Sequence, residues 1–271
     1  MGVTPTAWPA WLVMWTLAGG IYGACKLLTW RAATAADGAP WWQHAGYLLA
    51  WPGMDAPAFL ARGGVRRPAV REWAAAAGKT ALGAAVVSAA VLASRTGASL
   101  ATGWLGMVGL VLLLHFGAFH LLSCAWRSAG VDARPLMASP LRAASLAEFW
   151  GRRWNTAFRD LTHRFVFTPL RRWLGAPAAI LAGFVGSGLV HDLVVSLPAR
   201  GGYGGPTGFF AVQGVAMLVE RSDAGRRLGL GRGVRGRLFT AAVLLLPLPW
   251  LFHRAFVERV IVPFLDVLGA A

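Results

Sequence analysis

The sequence predicts an all-α, polytopic membrane protein with roughly six transmembrane helices, plus re-entrant and interfacial helices, around a buried tunnel. Hydrophobic residues make up 56% of the 271-residue chain. Charged residues make up only 14%, whereas a soluble domain carries about a quarter. The 14 tryptophans and 34 glycines are typical of transmembrane helices and their interfaces. We expect one membrane-embedded domain over residues 1–271.

The first half of the chain contains three predicted spans. The apolar run 8–28 has no basic segment before it and no Ala-x-Ala cleavage site after it, which favours a transmembrane helix over a cleaved signal peptide. The apolar piece 41–52 is too short to cross a membrane and is predicted to be re-entrant or interfacial. Two further spans are predicted at about 73–93 and 100–126.

The second half begins with a long polar segment. Residues 127–175 hold nine arginines and no apolar run of span length, so we expect this segment in the cytosol. The fourth and fifth spans are predicted at about 176–197 and 209–219. The last apolar stretch, 238–268, is interrupted by prolines, so it is either one span followed by an interfacial helix or two short spans.

The arginine distribution predicts the orientation. Segments 30–72, 127–175 and 221–237 hold 5, 9 and 6 of the 24 arginines, and cytoplasmic loops carry such an excess. The basic loop formed by Arg62, Arg66, Arg67 and Arg71 belongs to the first segment. Every basic stretch adjoins an apolar span, so the net charge of +15 does not predict nucleic-acid binding. We expect an integral, multi-pass protein of the bacterial inner membrane or an equivalent membrane.

A polar pair, His191 and Asp192, interrupts the fourth predicted span. Because ionisable side chains are costly in hydrocarbon, such a pair is a functional hypothesis by default. A neutral imidazole can act as a base near neutral pH. The alternative is a histidine that joins two helices by a hydrogen bond. The neighbouring Asp192, and a glycine-rich face at Gly183, Gly186 and Gly188 that could admit a substrate chain, favour function.

Ser187 lies four residues before His191, on the same helical face. A Ser–His nucleophilic pair is therefore geometrically feasible. No oxyanion donors or orienting acid are evident, so helix packing or a bond from the hydroxyl to a carbonyl is the favoured interpretation. We place Ser187 and Asp192 among the substrate-binding residues.

Asn155 closes the motif FWGRRWN. Its amide could hydrogen-bond a carbonyl or a pantetheine amide, and the alternative is an N-cap of the following helix. Guanidinium groups pair well with phosphate, so the surrounding arginines are candidates for binding the phosphate groups of coenzyme A. The alternative is that they only reflect the excess of arginine in cytosolic loops. These arginines are Arg152, Arg153, Arg159, Arg164, Arg171 and Arg172.

The cysteines Cys25 and Cys124 lie in apolar runs, so neither a disulfide framework nor a metal site is predicted.

The segment PLMASPLRAASLAEFWGRRWN (135–155), followed by SGLVHD (187–192), resembles the wax synthase branch of the membrane-bound O-acyltransferases. Upstream, YLLAWPGMD and LLHFGAFHLLS also resemble that branch, so the similarity covers about residues 45–200. The resemblance implies acyl transfer from acyl-CoA to the hydroxyl of a lipophilic alcohol. It implies that His191 is catalytic and Asn155 is the second signature residue. Trp150, Arg153 and Trp154 also match the motif, and we place them in the substrate site.

Two functions of other classes stay open. A proton-coupled small-molecule transporter could use the pair His191–Asp192 as a proton pathway, but the internal symmetry common in transporters is not evident. The second alternative is a non-catalytic scaffold with an acyltransferase-like fold.

Acyl-CoA is expected as a co-substrate, with no metal or other cofactor. Membrane lipids are expected partners, and the sequence allows a homo-oligomer.

Overall fold

The chain is helical in a computed structural model, which describes residues 8–33, 38–61, 65–97 and 99–270. No strand occurs within these ranges, so the predicted all-α class is confirmed. Arg62 of the predicted basic loop lies outside the described residues. In chain order the helices are α1 (Ala10–Arg31), α2 (Trp41–Ala50), α3 (Ala56–Leu60), α4 (Val70–Arg95), α5 (Leu100–Ser128), α6 (Leu146–Glu148, extended by a π turn over Phe149–Arg153), α7 (Thr156–Ala199), α8 (Gly205–Arg221), α9 (Asp223–Leu228), α10 (Gly233–Leu251) and α11 (254–270).

Five of the described helices, α1, α4, α5, α7 and α10, are long and apolar enough to cross a membrane. The predicted fifth span lies inside α8, which has 17 residues. The outward faces of the long helices are apolar, and Leu82, Leu92 and Val108 are all more than half exposed. Side chains of this kind belong against lipid rather than water. The chain is an integral membrane protein.

The last apolar stretch of the sequence consists of two helices. α10 ends at Leu251, and α11 begins at Arg254. Between Leu245 and Leu248 the helix is interrupted by a turn that contains Pro247. Of the two pieces, α10 has the length and composition of a span. Whether α11 is an interfacial helix or a second short span stays a prediction.

The backbone of α7 is broken at Gly175, whose φ of 76° and ψ of 169° are not helical. Pro177 follows two residues later, and a proline disfavours helical conformation in the residue before it. Glycine tolerates the positive φ that the break requires. The fourth predicted span therefore begins at this break, and the helical residues before it belong to the arginine-rich segment.

Close helix contacts are made at glycines. A Cβ built on Gly83 of α4 would lie 2.3 Å from the backbone nitrogen of Leu113 in α5. A Cβ on Gly188 of α7 would lie 2.6 Å from the Cα atom of Thr207 in α8. Small residues allow transmembrane helices to approach this closely. Gly188 therefore packs against α8, and the predicted glycine-rich substrate face is wrong at that position.

Candidate active site

The imidazole of His191 is held by its own helix. Its Nδ1 atom lies 2.7 Å from the backbone carbonyl oxygen of Ser187. A carbonyl oxygen only accepts hydrogen bonds, so Nδ1 carries the proton and donates it. The neutral ring then presents the lone pair of Nε2, which has no hydrogen-bond partner among the described residues. His191 is only partly buried. A histidine in this tautomer has the arrangement required of a base.

The partner of His191 is the carbonyl of Ser187 and not its hydroxyl. The Ser–His nucleophilic pair that the sequence left open is therefore not formed in this arrangement. Ser187 is half-buried on α7 beside Gly186 and Gly188. The part of Ser187 that acts on His191 is its backbone, which any residue would supply.

An aromatic cluster connects His191 to the tryptophan motif. The ring of Phe210, on α8, lies 4.5 Å from the ring of His191 between centroids. The same ring lies 5.7 Å from Trp150, and Trp150 packs edge-to-face on Phe184 at 5.8 Å. The structure thus brings two predicted site residues, His191 and Trp150, into contact with the same phenylalanine ring. Phe210 was not among the predicted site residues, because its contact with His191 depends on the packing of α8 against α7.

Trp150 is also held by a buried amide. Its Nε1 donates to Oε1 of Gln213 at 3.3 Å, and Nε2 of Gln213 donates to the carbonyl of Val243 at 2.8 Å. Gln213 is fully buried, and a buried amide is costly unless its polar atoms are paired. This chain of bonds fixes the indole against α8 and α10. Sequence reasoning missed Gln213, although a lone amide in an apolar run is a signal that can be read.

The tryptophan motif begins with a firmly capped short helix. The hydroxyl of Ser145 accepts from the backbone N–H of Glu148 at 2.9 Å, while Glu148 Oε2 accepts from the N–H of Ala144 at 2.8 Å. These reciprocal bonds resemble a capping box. From α8, the buried carboxylate of Glu220 accepts from the N–H of Leu146 at 2.6 Å. The start of the motif is therefore anchored to α8, which also carries Phe210.

The guanidinium group of Arg153 is bonded to other residues of the protein. Its Nε donates to Glu148 Oε1 at 2.7 Å, and its Nη1 donates to the carbonyl of Ala138 at 2.9 Å. The backbone N–H of Ala144 and the Arg153 guanidinium hold the pKa of Glu148 below its ordinary value. Arg153 thus ties the motif to the preceding loop. Its predicted contact with substrate stays a prediction.

Trp154 stacks on Phe149 at 5.5 Å between centroids and 13° between planes. Its other neighbour is Phe116 of α5, at 6.3 Å. The indole therefore joins the motif to α5, and its predicted place in the substrate site also stays a prediction.

Asn155 adopts a left-handed backbone conformation, with φ 40° and ψ 64°. It stands at the N-terminus of α7, but its side chain makes no capping bond to that helix. The helix-cap alternative is therefore wrong. The backbone N–H of Asn155 points to Sδ of Met137 at 3.3 Å, and its side-chain amide has no hydrogen-bond partner among the described residues. Asparagine tolerates this conformation better than most residues, and such strain clusters at functional sites.

The carboxylate of Asp192 accepts four hydrogen bonds. Its Oδ1 accepts from the hydroxyl of Ser196 at 2.8 Å and from the N–H of Gly204 at 2.9 Å. Its Oδ2 accepts from the N–H of Thr207 at 3.1 Å and from the hydroxyl of Thr207. Carboxylates are stabilising at a helix N-terminus, and these donors surround the start of α8. This geometry supports anchoring of α7 to α8, and the predicted substrate contact of Asp192 stays a prediction.

A second polar group lies between α4 and α5. Ligand atoms of Glu72, His120 and Cys124 all lie within 4.8 Å of one another. However, Arg127 pairs with Glu72 and contacts Sγ of Cys124 at 3.6 Å. Nζ of Lys79 lies 3.5 Å from Nδ1 of His120. Two cationic side chains already occupy these donor atoms and would repel a metal ion. The group fits a polar network between helices better than a metal site.

Residues 133–212 match the membrane bound O-acyl transferase family. The resemblance seen in the sequence is confirmed. The matched range contains the tryptophan motif, His191 and Phe210, whereas Gln213 and Glu220 follow it in the chain. No solved structure matches the chain.

Three curated relatives of this family have similar sequences. The long-chain-alcohol O-fatty-acyltransferase of Simmondsia chinensis is 33% identical over 136 residues, which is 45% of this chain and 38% of that protein. The probable long-chain-alcohol O-fatty-acyltransferase 7 of Arabidopsis thaliana is 34% identical over 146 residues, 48% of this chain and 42% of its own length. The probable long-chain-alcohol O-fatty-acyltransferase 3 of Arabidopsis thaliana is 27% identical, with 52% and 48% covered. The chain spans less than half the length of these relatives.

Proposed function

We propose that this protein is a membrane-bound O-acyltransferase that moves a fatty acyl group from acyl-CoA to the hydroxyl of a lipophilic alcohol, as wax synthases do. The observation that carries the proposal is the tautomer of His191. Its Nδ1 proton is donated to the Ser187 carbonyl, which leaves Nε2 as a base inside the segment that matches the family. The long-chain-alcohol O-fatty-acyltransferases among its relatives support the substrate class.

The transfer proceeds directly, without an acyl-enzyme. Nε2 of His191 takes the proton of the alcohol hydroxyl as the oxygen attacks the thioester carbonyl carbon. When the tetrahedral intermediate collapses, the carbon–sulfur bond breaks and the thiolate of CoA takes the proton back from the imidazolium. General-base catalysis of this kind contributes about 10²–10⁴ in rate. No proton, electron or metal ion is consumed, and acyl-CoA is the only co-substrate.

We assign the side-chain amide of Asn155 to binding the carbonyl group of the thioester. Its unpaired side-chain amide N–H donates to the thioester carbonyl oxygen, where negative charge develops during attack. The left-handed backbone at this position fixes where that amide lies. Trp150 and Phe210 supply an apolar wall beside His191, which keeps water away from the thioester and suppresses hydrolysis.

The arginine bias supports an orientation for these steps. The arginine-rich segments 30–72, 127–175 and 221–237 are placed in the cytosol, so acyl-CoA arrives from that side and the alcohol from the bilayer. We propose the bacterial inner membrane, or an equivalent membrane, as the location. Lipids contact the exposed apolar faces of the spans, and self-association stays a prediction.

The test uses purified protein, labelled palmitoyl-CoA and hexadecanol. Ester formation with release of CoA that requires the alcohol is the expected result, and it separates an acyltransferase from a transporter or a scaffold. The His191→Ala variant is expected to lose the ester product. Alcohol-independent CoA release, or ester formation by that variant at the wild-type rate, would contradict the assignment.

A further inference from the structure

A cavity of about 420 Å³ lies where α1 begins and α7 ends. Its walls are built by Trp8 and Val13 at the start of the chain, by Leu197 and Arg200 at the end of α7, and by Arg259 of α11. None of these residues belongs to the candidate active site. The N-terminus of α1 and the C-terminus of α7 therefore lie at the same end of the molecule.

Two arginines line the cavity, and no carboxylate among the described residues pairs with either of them. Arg200 is exposed, and its guanidinium has no hydrogen-bond partner among the described residues. Arg259 uses only Nη1, which donates to the carbonyls of Ala199 at 3.1 Å and Arg200 at 3.3 Å. The nearest acid in the sequence, Glu258, is paired with Arg254 instead, at 2.7 Å. Unpaired guanidinium groups in an apolar setting favour an anionic ligand.

The rest of the wall is apolar, and two of its side chains are exposed. Trp8 is 66% exposed and Leu197 is 44% exposed. Tryptophans at the ends of transmembrane helices lie at the level of lipid headgroups, and Trp8 stands just before α1. The cavity therefore combines two guanidinium groups with apolar side chains at the end of a membrane-spanning helix.

We propose that this cavity binds the headgroup of an anionic phospholipid. The phosphate pairs with Arg200 and Arg259, because guanidinium groups bind phosphate oxygens bidentately. The acyl chains leave the cavity along Trp8 and Leu197 into the bilayer. Arginine side chains close to an anionic membrane surface are attracted to its lipid headgroups. The proposal is independent of the acyltransferase function.

The experiment measures lipid retention by the full-length protein. Delipidated protein in detergent is titrated with dioleoyl-phosphatidylglycerol, dioleoyl-phosphatidylcholine or inorganic phosphate, and bound lipid is counted by native mass spectrometry. The variants are Arg200→Gln, Arg200→Lys and the double variant Arg200→Gln/Arg259→Gln. Arg254→Gln is the matched control, since it removes the same charge from the same end of the molecule outside the cavity.

We expect the wild type to retain phosphatidylglycerol in preference to phosphatidylcholine. Arg200→Gln should weaken that retention about fivefold, the scale of one basic residue at an anionic membrane surface. The double variant should weaken it further. Arg200→Lys should weaken retention less than Arg200→Gln, because lysine keeps the charge but not the bidentate bonds, and Arg254→Gln should retain the lipid. The Arg200→Gln variant decides the question, because the hydrogen bonds described at Arg200 involve only its backbone.

Three results would overturn the proposal. Equal retention of the two lipids would show that charge does not select the ligand. Equal weakening by Arg200→Gln and Arg254→Gln would assign the effect to the general surface charge. Binding of inorganic phosphate that displaces phosphatidylglycerol at comparable concentration would identify a free-anion site instead of a lipid site.

Discussion

Nδ1 of His191 and the backbone carbonyl oxygen of Ser187 lie 2.7 Å apart, and this bond selects one tautomer of the imidazole. The neighbouring turn of α7 orients the ring, so no separate acidic residue is needed to hold it. Asp192, the acid that follows directly in the sequence, is bonded to donors at the start of α8 instead. The two residues of the polar pair are therefore bonded to different parts of the molecule, His191 to its own helix and Asp192 to the start of α8.

The first prediction compares two residues of this turn. His191→Ala removes the base and should lower the rate of ester formation by about 10²–10⁴. Ser187→Ala removes a hydroxyl but keeps the carbonyl that accepts from Nδ1, so it should retain most of the activity. The measurement is the initial rate of ester formation from palmitoyl-CoA and hexadecanol. Complete loss in Ser187→Ala would favour an acyl-enzyme on that serine.

The second prediction separates the backbone of Asn155 from its amide. Asn155→Gly keeps the left-handed conformation without strain. Asn155→Ala puts there a residue that lacks asparagine's tolerance of this conformation, at a cost of about 1–2 kcal/mol. Both variants lose the amide. We expect both to lose ester formation, and only Asn155→Ala to show a lower melting temperature.

The comparison of these two variants decides the role of Asn155. If Asn155→Gly restores wild-type activity, then the backbone conformation is what the site requires and the amide does not contact the thioester. Wild-type stability in Asn155→Ala would contradict the strain argument. The melting temperature is measured in the same detergent as the activity.

Much of this arrangement could be predicted from local sequence. Apolar runs located the spans, and the break at Gly175 falls where the fourth span was predicted to begin. His191 was singled out because a titratable group in hydrocarbon is costly. These inferences succeed because each depends on residues that are close in the sequence.

The contacts around Trp150 could not be predicted in the same way. Gln213 is 63 positions away in the sequence, and Glu220 lies 74 positions from Leu146. Both contacts exist only because α8 packs against α7 and the start of α6. Similarly, the glycine-rich pattern predicts that Gly188 lines an opening for substrate. Its contact with Thr207 instead depends on α8, which follows α7 after a turn.

The third prediction tests that helix contact. A Cβ at position 188 would lie 2.6 Å from the Cα atom of Thr207, which is backbone and cannot rotate away. Gly188→Ala should therefore destabilise the fold by about 1–3 kcal/mol, the usual cost of overpacking. Gly186→Ala is the matched control, because nothing lies within 4 Å of its Cβ. Thermal unfolding of both variants checks this, and equal melting temperatures would contradict close packing at Gly188.

The fourth prediction concerns pH and the capped start of the tryptophan motif. The pKa of Glu148 is lowered from its ordinary value of 4.5 by the Ala144 N–H and the Arg153 guanidinium. A carboxylate with a lowered folded-state pKa stabilises the protein above its unfolded-state value, and this stabilisation is lost as the pH falls through the folded-state value. Glu148→Gln cannot ionise, so at about pH 7 it should be less stable than the wild type by about 1 kcal/mol.

That difference in stability should shrink as the pH falls below 4.5, because the wild-type carboxyl then becomes neutral as well. Melting temperatures of the wild type and of Glu148→Gln, measured in parallel from about pH 7 to about pH 3, give the comparison. Asp223→Asn is a suitable control, since Asp223 forms an exposed pair with Arg226 and such pairs contribute little. A difference that stays constant over the whole range would mean that the side chain of Glu148 stabilises the motif through packing and not through its charge.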